Sequence, residues 1–239
     1  MKIRKCVVTG FFVLISLFGV LAAAELPCMQ VRIFIDTKAD WLQIKNLHLD
    51  EVWQGDDYID VVTDKLELET ITGLGLRTET IHPDLKSFYK GRLDKSVTDM
   101  GGYPTLSEIN SYIDSIIVVR PDIVSAKESI GFTIEGRDMW AFKISDNPNT
   151  DENEPEVLYT AAIHAREVIT PMVLMYFIDH LLNNYDSSPE VQDLVDNREL
   201  WFIMPVNPDG YYHNEVTDPD GGGMWRKNRR NNGDGSYGI

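Results

Sequence analysis

Apolar side chains between residues 31 and 85 recur first at every second position and then at every third or fourth, which predicts strands alternating with short helices. Residues 31–35 read as a strand, and Trp41, Leu42, Ile44 and Leu47 share one helical face. Residues 51–54 and 58–62 flank Gly55-Asp56-Asp57, the pattern of a hairpin closed by a short turn. A second helix fits residues 66–72 and stops at Gly73, and residues 76–81 supply a last strand. The order βαββαβ is the ferredoxin-like, or split-βαβ, arrangement.

Residues 87–99 have few periodic apolar positions but hold Lys90, Arg92 and Lys95, so an exposed linker open to trypsin-like cutting is expected there. Beyond it, Thr105-Leu-Ser-Glu108 has the form of a capping box, and Ile109, Tyr112, Ile113, Ile116 and Ile117 continue at helical spacing up to Pro121. Residues 128–135 and 137–145 read as two strands meeting at Glu135-Gly136-Arg137-Asp138. The nearly unbroken apolar run 157–163 predicts a strand covered on both faces. Thr170-Pro171 offers an N-cap and a first-turn proline for a core helix over 172–185, and 199–205 is a further buried strand. Strands alternating with helices on this scale predict an α/β domain, a mixed sheet with helices on both faces.

The start of the chain follows a different pattern. Lys2, Arg4 and Lys5 precede an apolar run over 11–21, and Ala22-Ala23-Ala24 come before Glu25, the three-part form of an export signal cleaved after Ala24. An uncleaved anchor is the competing reading, because residues 7–24 approach the roughly 20 needed to span a bilayer. No anchoring aromatic or basic flank follows, so a secreted or periplasmic protein without a stable membrane partner is expected. If Cys6 leaves with the signal, Cys28 is the one cysteine remaining and an internal disulfide is excluded. The domain plan is a signal peptide (1–24), a ferredoxin-like domain (25–86), a linker (87–101) and the larger α/β domain (102–239). At 43% hydrophobic residues the chain can bury a sizeable core. A net charge of −16 repels phosphates, and the one dense basic cluster, 226–230, is short, so nucleic acid is not an expected partner.

Three constellations bear chemistry. His164-Ala-Arg-Glu167 sits where a buried strand ends and a helix is about to begin, a place functional residues favour in α/β sheets. Imidazole nitrogen and carboxylate oxygen are both zinc ligands, and catalytic zinc takes three protein ligands plus water; this motif offers two. The plainer reading is a surface histidine beside an Arg166–Glu167 charge pair. Asn207-Pro208-Asp209-Gly210 is a turn signal, and Trp225-Arg-Lys-Asn-Arg229 follows it. Arg226 is there either a solvated loop cation or a guanidinium oriented by the bulky Trp225 to stabilise an oxyanion. Finally, residues 151–156 (Asp-Glu-Asn-Glu-Pro-Glu) pack four carboxylates together, so either the loop is fully solvated or a hard cation such as calcium neutralises it.

Taken together, residues 159–171 (Tyr-Thr-Ala-Ala-Ile-His-Ala-Arg-Glu-Val-Ile-Thr-Pro), Pro205-Val-Asn-Pro-Asp-Gly210 and Trp225-Arg-Lys-Asn-Arg229 resemble, in order and spacing, the M14 family of zinc carboxypeptidases. The likeness runs from about Gly102 onward. Glu135-Gly136-Arg137 and Lys143-Ile-Ser-Asp-Asn147 are similar to the bacterial carboxypeptidase T type, and the βαββαβ segment is similar to the family's inhibitory pro-domain. The resemblance implies a metallocarboxypeptidase precursor that removes residues from the C-termini of peptides and proteins. It implies Zn2+ held by His164 and Glu167, Arg166 binding substrate, and Arg226 both binding substrate and polarising the scissile carbonyl. It also implies Ca2+ at Asp151, Glu152, Glu156 and Glu199, and the chain's own pro-domain as an intramolecular inhibitor.

One departure stands beside the match. The family continues with an Asn-Arg pair for the substrate carboxylate, a third zinc ligand (a histidine), a tyrosine and a general-base glutamate, and this sequence does not contain that part. The expectation is therefore a truncated chain, inactive alone. Its rivals are a non-catalytic secreted binding protein on the same fold and a metal-dependent amidase or esterase.

Overall fold

The computed structural model describes residues 28–91 and 100–238. The expected signal peptide with Cys6, and Arg92 and Lys95 of the expected linker, lie outside the described residues. The first unit runs β1 (Met29–Phe34), α1 (Lys38–Asn46), β2 (Asp50–Gln54), β3 (Tyr58–Thr63), α2 (Lys65–Gly73) and β4 (Thr78–His82), the element order read from the apolar spacing. Its strands pair antiparallel in the order β2-β3-β1-β4. Alternation places Val31, Ile33, Ile59 and Val61 on one face, where Ile44 of α1 and Ile71 of α2 close the core. On the other face Arg32 donates to Asp60 through two hydrogen bonds of 2.8 and 3.0 Å and lies over the Tyr58 ring. Both helices start on side-chain caps, Thr37 with Asp40 in a capping box and Asp64 accepting from the Leu66 and Glu67 amides.

The reading of residues 87–99 as a linker needs correction at its start, because α3 (Leu85–Lys90) occupies part of it. Asp84 caps this helix and Leu85 is its single buried anchor, too short a pattern for periodicity to detect. Lys86 and Lys90 reach the Asp218 carboxylate at 2.7 and 3.0 Å, so this segment docks on the second unit.

That second unit runs α4 (Leu106–Val119), β5 (Glu128–Phe132), β6 (Asp138–Ile144), β7 (Glu156–Thr160), α5 (Ile169–Asn184), α6 (Pro189–Asp196), β8 (Glu199–Ile203) and α7 (Pro208–Thr217). The sheet is mixed, in the order β5-β6-β8-β7, with only β7 and β8 parallel. The Thr105/Glu108 capping box forms as expected. Phe142, Ile144, Leu200 and Phe202 point to one side of the sheet and meet Ile109 and Ile113 of α4 and Ile178 and Leu181 of α5. Phe142 and Tyr159 each stack on Phe202, at 5.4 and 5.2 Å.

Several expectations are revised in this unit. Among the described residues, the apolar cluster draws α4, α5, α6 and α7 to that one side of the sheet, so helices on both faces are not seen. The strand expected over 157–163 ends at Thr160, and its Leu158 is 60% exposed, on the face opposite the one by which Val157 and Tyr159 pack against the core. Thr170 does not cap α5; the helix starts from Val168 without a side-chain cap, and several of its apolar residues, such as Val173 and Tyr176, are exposed. Asn207-Pro208-Asp209-Gly210 is no isolated turn but the first turn of α7, with Asn207 capping the Gly210 amide and Pro208 at the position where its missing N–H is harmless. Among the described residues no helix is long and apolar enough to cross a membrane.

Candidate metal and substrate site

The segment leaving β7 is folded back by Thr170, whose hydroxyl accepts from the Ala162 amide and donates to the Glu167 carbonyl, both at 2.8 Å. Ala162 takes a left-handed φ of 48°, a conformation that costs a non-glycine residue about 1–2 kcal/mol and is held here by the hydrogen bonds on either side. The Glu167 amide then bonds the His164 carbonyl, which places the two side chains on one turn. His164 Nδ1 and Glu167 Oε1 face each other 2.6 Å apart, with side chains 36% and 45% exposed.

Metal–donor bonds of about 2.0–2.2 Å at a tetrahedral angle separate two zinc ligands by about 3.3 Å. A sub-ångström retreat of the exposed carboxylate therefore admits an ion between the two groups, and the donor chemistry fits. Among the described residues, the groups of three or more converging donors are Asp146–Glu152–Glu154 and Asp151–Glu156–Glu199, and neither includes His164 or Glu167.

Arg226 comes to the same rim because its carbonyl accepts the Ala165 amide at 3.0 Å, directly beside His164. Its guanidinium Nε bonds Asp50 Oδ1 at 2.9 Å, and Arg166 Nη2 bonds Asp50 Oδ2 at 2.5 Å. Arg166 thus pairs with a carboxylate of the first unit and not with Glu167, which corrects the plainer reading of the motif. Trp225 does not orient the Arg226 guanidinium either; the cation over its ring is Arg229, at 4.4 Å. His164, Glu167, Arg166, Arg226 and Asp50 all line one cavity of about 580 Å³ between the units.

The acidic loop does not gather as one set. Asp151, Glu156 and Glu199 converge in one group, while Glu152 joins Asp146 and Glu154 in another. Glu199 already has a counter-ion: Lys143 Nζ lies 2.6 Å from Glu199 Oε1, with side chains 3% and 2% exposed, and also donates to the Thr150 carbonyl. In the second group Glu152 Oε2 and Glu154 Oε2 are buried oxygens without a hydrogen-bond partner. Burial pushes the Glu154 carboxyl above its usual range, and the neighbouring carboxylates of Glu152, Asp146 and Glu199 add to that shift.

Two residues of structural consequence have partners that no sequence signal shows. Asp50 sits in an acidic stretch like many others, and only the packing of two units shows its partners. Asp209 is buried and accepts from the Thr133 hydroxyl, the Arg137 guanidinium and the Glu135 amide at 2.7, 2.7 and 3.0 Å, tying the β5–β6 turn to α7.

The model of the zinc carboxypeptidase family, peptidase family M14, matches residues 109–239. A zinc carboxypeptidase of Saccharothrix mutabilis subsp. capreolus is 34% identical over 194 residues, which cover 77% of this chain and 44% of that protein. Carboxypeptidase A2 of Rattus norvegicus is 30% identical over 138 residues, 57% of this chain and 31% of that one. The chain therefore spans less than half the length of these relatives. In fold it is similar to the carboxypeptidase A of Helicoverpa armigera, with a TM-score of 0.67 at 20% identity over 88% of this chain and 55% of the other. Thrombin activatable fibrinolysis inhibitor gives a TM-score of 0.59 at 20% identity over 89% and 57%.

Proposed function

Because the chain belongs to the zinc carboxypeptidase family, peptidase family M14, we propose that it serves zinc-dependent removal of C-terminal residues from peptides and proteins, and that it is made as an exported precursor. The observation that carries this reading is the meeting of His164 and Glu167 on the rim that also holds Arg166 and Arg226. His164 and Glu167 are the residues that would hold the ion, and bound zinc would supply Lewis-acid polarisation of a carbonyl and of water. Arg226 and Arg166 present planar guanidiniums suited to oxyanions and carboxylates. The first, beside the metal-binding turn, would hold negative charge developing on the scissile carbonyl oxygen, and the second would bind the peptide.

The βαββαβ unit is proposed as a ferredoxin-like pro-domain. Its Asp50 carboxylate occupies both arginines, as an anionic substrate group would. The likeness to the Helicoverpa armigera carboxypeptidase A supports this, since it covers 88% of this chain, more than residues 100–238 alone can supply, and so extends into the βαββαβ unit.

Zinc binding tests the reading. Isothermal titration of the chain with Zn2+ is expected to give weak, micromolar-range binding, because two converging donors fall short of the three typical of a catalytic site. No turnover of a blocked dipeptide is expected from this chain by itself. H164A and E167A should each weaken zinc at least tenfold, no less than the roughly 10- to 100-fold cost of losing a group that merely supports a ligand. Binding unchanged in both variants would sink the assignment.

A calcium role for Asp151, Glu152, Glu156 and Glu199 is proposed with the grouping revised by the geometry. Glu199 is already neutralised by Lys143, so the group with unpartnered oxygens, Asp146, Glu152 and Glu154, is the better cation holder. Saturating Ca2+ at 100 times its Kd is expected to stabilise the fold by about 2.7 kcal/mol. A calcium-selective chelator should then lower Tm, and the effect should fade on acidification because Glu154 protonates above the usual carboxylate range. A melting curve indifferent to chelator would return this loop to simple solvation.

A further inference from the structure

We propose that Asn214 is a positioning residue for Arg226, an inference that rests on the carbonyl-polarising role given to that arginine above. Asn214 is buried in α7 and lines the cavity between the units. Its carboxamide grips one residue on both sides: Oδ1 accepts the Trp225 amide at 2.9 Å, and Nδ2 donates to the Trp225 carbonyl at 2.8 Å. Asparagine is a poor helix former and a buried amide must find partners, so its presence here costs the helix something that these two bonds offset.

Three consecutive carbonyls are then held by different groups. Trp225 is held by Asn214 on α7, Arg226 by the Ala165 amide at 3.0 Å, and Lys227 by Asn207 Nδ2 at 3.0 Å together with the Trp225 indole N–H at 2.6 Å. Ala165 and Asn207 hold Arg226 and the residue after it. Asn214 alone of the three fixes the residue before it, so it governs the direction in which the guanidinium leaves the backbone. Gly223 makes room for this arrangement, because a Cβ there would stand 2.6 Å from Asn214 Oδ1.

Displacing a reacting group by about 1 Å can cost on the order of 100-fold in rate, so the fixing of this one residue is enough to matter for an arginine that must meet an oxyanion. The contribution would fall on the transition state rather than on substrate binding, because the neutral carbonyl of the bound peptide gains little from a cation placed for an oxyanion.

The test uses the whole 239-residue chain, isotopically labelled, and reads the arginine Nε–H signals by NMR. Arg226 Nε–H bonds Asp50, and Arg32 Nε–H bonds Asp60, far from the loop, as an internal standard of folding. N214D keeps the acceptor for the Trp225 amide but faces the Trp225 carbonyl without a donor. G223A keeps the carboxamide but brings a Cβ to within 2.6 Å of its Oδ1, so the acceptor of the Trp225 amide must shift.

In both variants the Arg226 Nε–H signal is expected to move toward that of a free guanidinium with the Arg32 signal unchanged, and in G223A, which displaces the acceptor, the Trp225 amide is expected to exchange at least tenfold faster. In the complete enzyme, N214D should lower kcat by about 10- to 100-fold with KM within about twofold. A folded variant that keeps both the wild-type Arg226 signal and the wild-type Trp225 exchange overturns the proposal. Should N214D lose the Arg32 signal too, G223A decides in the same way. If the complete enzyme shows no peptide turnover at all, the peptidase reading fails while the NMR comparison still judges the positioning role.

Discussion

Replacing Lys143 by methionine is expected to lower the unfolding free energy by about 3–5 kcal/mol, the usual cost of stripping one partner from a buried ion pair. Lys143 and Glu199 face each other across β6 and β8 with almost no exposure. Removing the ammonium leaves the Glu199 carboxylate with the Glu152 amide, at 3.0 Å, as a backbone donor.

The pH dependence of this effect has a definite sign. In the wild type burial raises the Glu199 pKa, but the hydrogen bond and attraction from Lys143, with the Glu152 amide, outweigh it and hold the carboxyl below its ordinary value of 4.5. The folded-state pKa is thus depressed, so the stabilisation is fully present above pH 4.5 and is lost as pH falls through the folded value. In K143M the burial contribution wins, the carboxyl prefers its proton, and the penalty shrinks on acidification. Urea melts of wild type and K143M at neutral and acidic pH read both effects. A companion variant, K143M with E199L, should recover much of the loss, since an apolar pair of similar volume is often no worse than the ions. A neutral-pH difference under 1 kcal/mol would mean that water reaches this pair.

The sequence was most legible where local chemistry and tertiary packing agree. The first unit's strands and helices follow from alternation closed by Thr37 and Asp64 caps, because each short element buries one face against its immediate neighbours. The His164–Glu167 pair was legible because both donors lie on one turn, where spacing in sequence is spacing in space. Legibility failed where the deciding partner is distant. Leu158 belongs to an apolar run that reads as buried, yet the exposure of a strand's second face depends on what packs over that face. Lys143 and Glu199, 56 residues apart, look like ordinary charges until β6 and β8 pair in register. Asn207 reads as part of a turn because Asn-Pro-Asp-Gly suits a turn and a helix start equally well, and only the continuation into α7 separates them.

Asp50 is the extreme case of that distance, and its removal carries the second large expected effect. It stands at the head of β2 with 19% of its side chain exposed and bonds two guanidiniums, separated from them by 116 and 176 residues of sequence. Truncation to alanine breaks both pairs at once and leaves two partly desolvated cations facing each other. A loss of about 2–5 kcal/mol follows for the docking of the two units, roughly 30- to 4,000-fold in that equilibrium. The units should nevertheless stay associated, because the second clamp has the opposite polarity: there Lys86 and Lys90 supply the cations, and the second unit supplies the anion, Asp218.

The expected result for D50A is therefore local opening at the cavity. Hydrogen exchange should quicken in β2 and in residues 164–168 while the α3 segment keeps its protection. The freed arginines should then bind a short peptide with a free C-terminal carboxylate, and the same peptide as a C-terminal amide more weakly. Added salt should weaken this binding, as expected for exposed charge recognition. D50N, which keeps the shape of the side chain without its charge, separates electrostatic release from lost packing and should behave like D50A. If both variants exchange as slowly as the wild type and ignore the peptide carboxylate, Asp50 is a bystander at the interface and the autoinhibitory reading of the first unit fails with it.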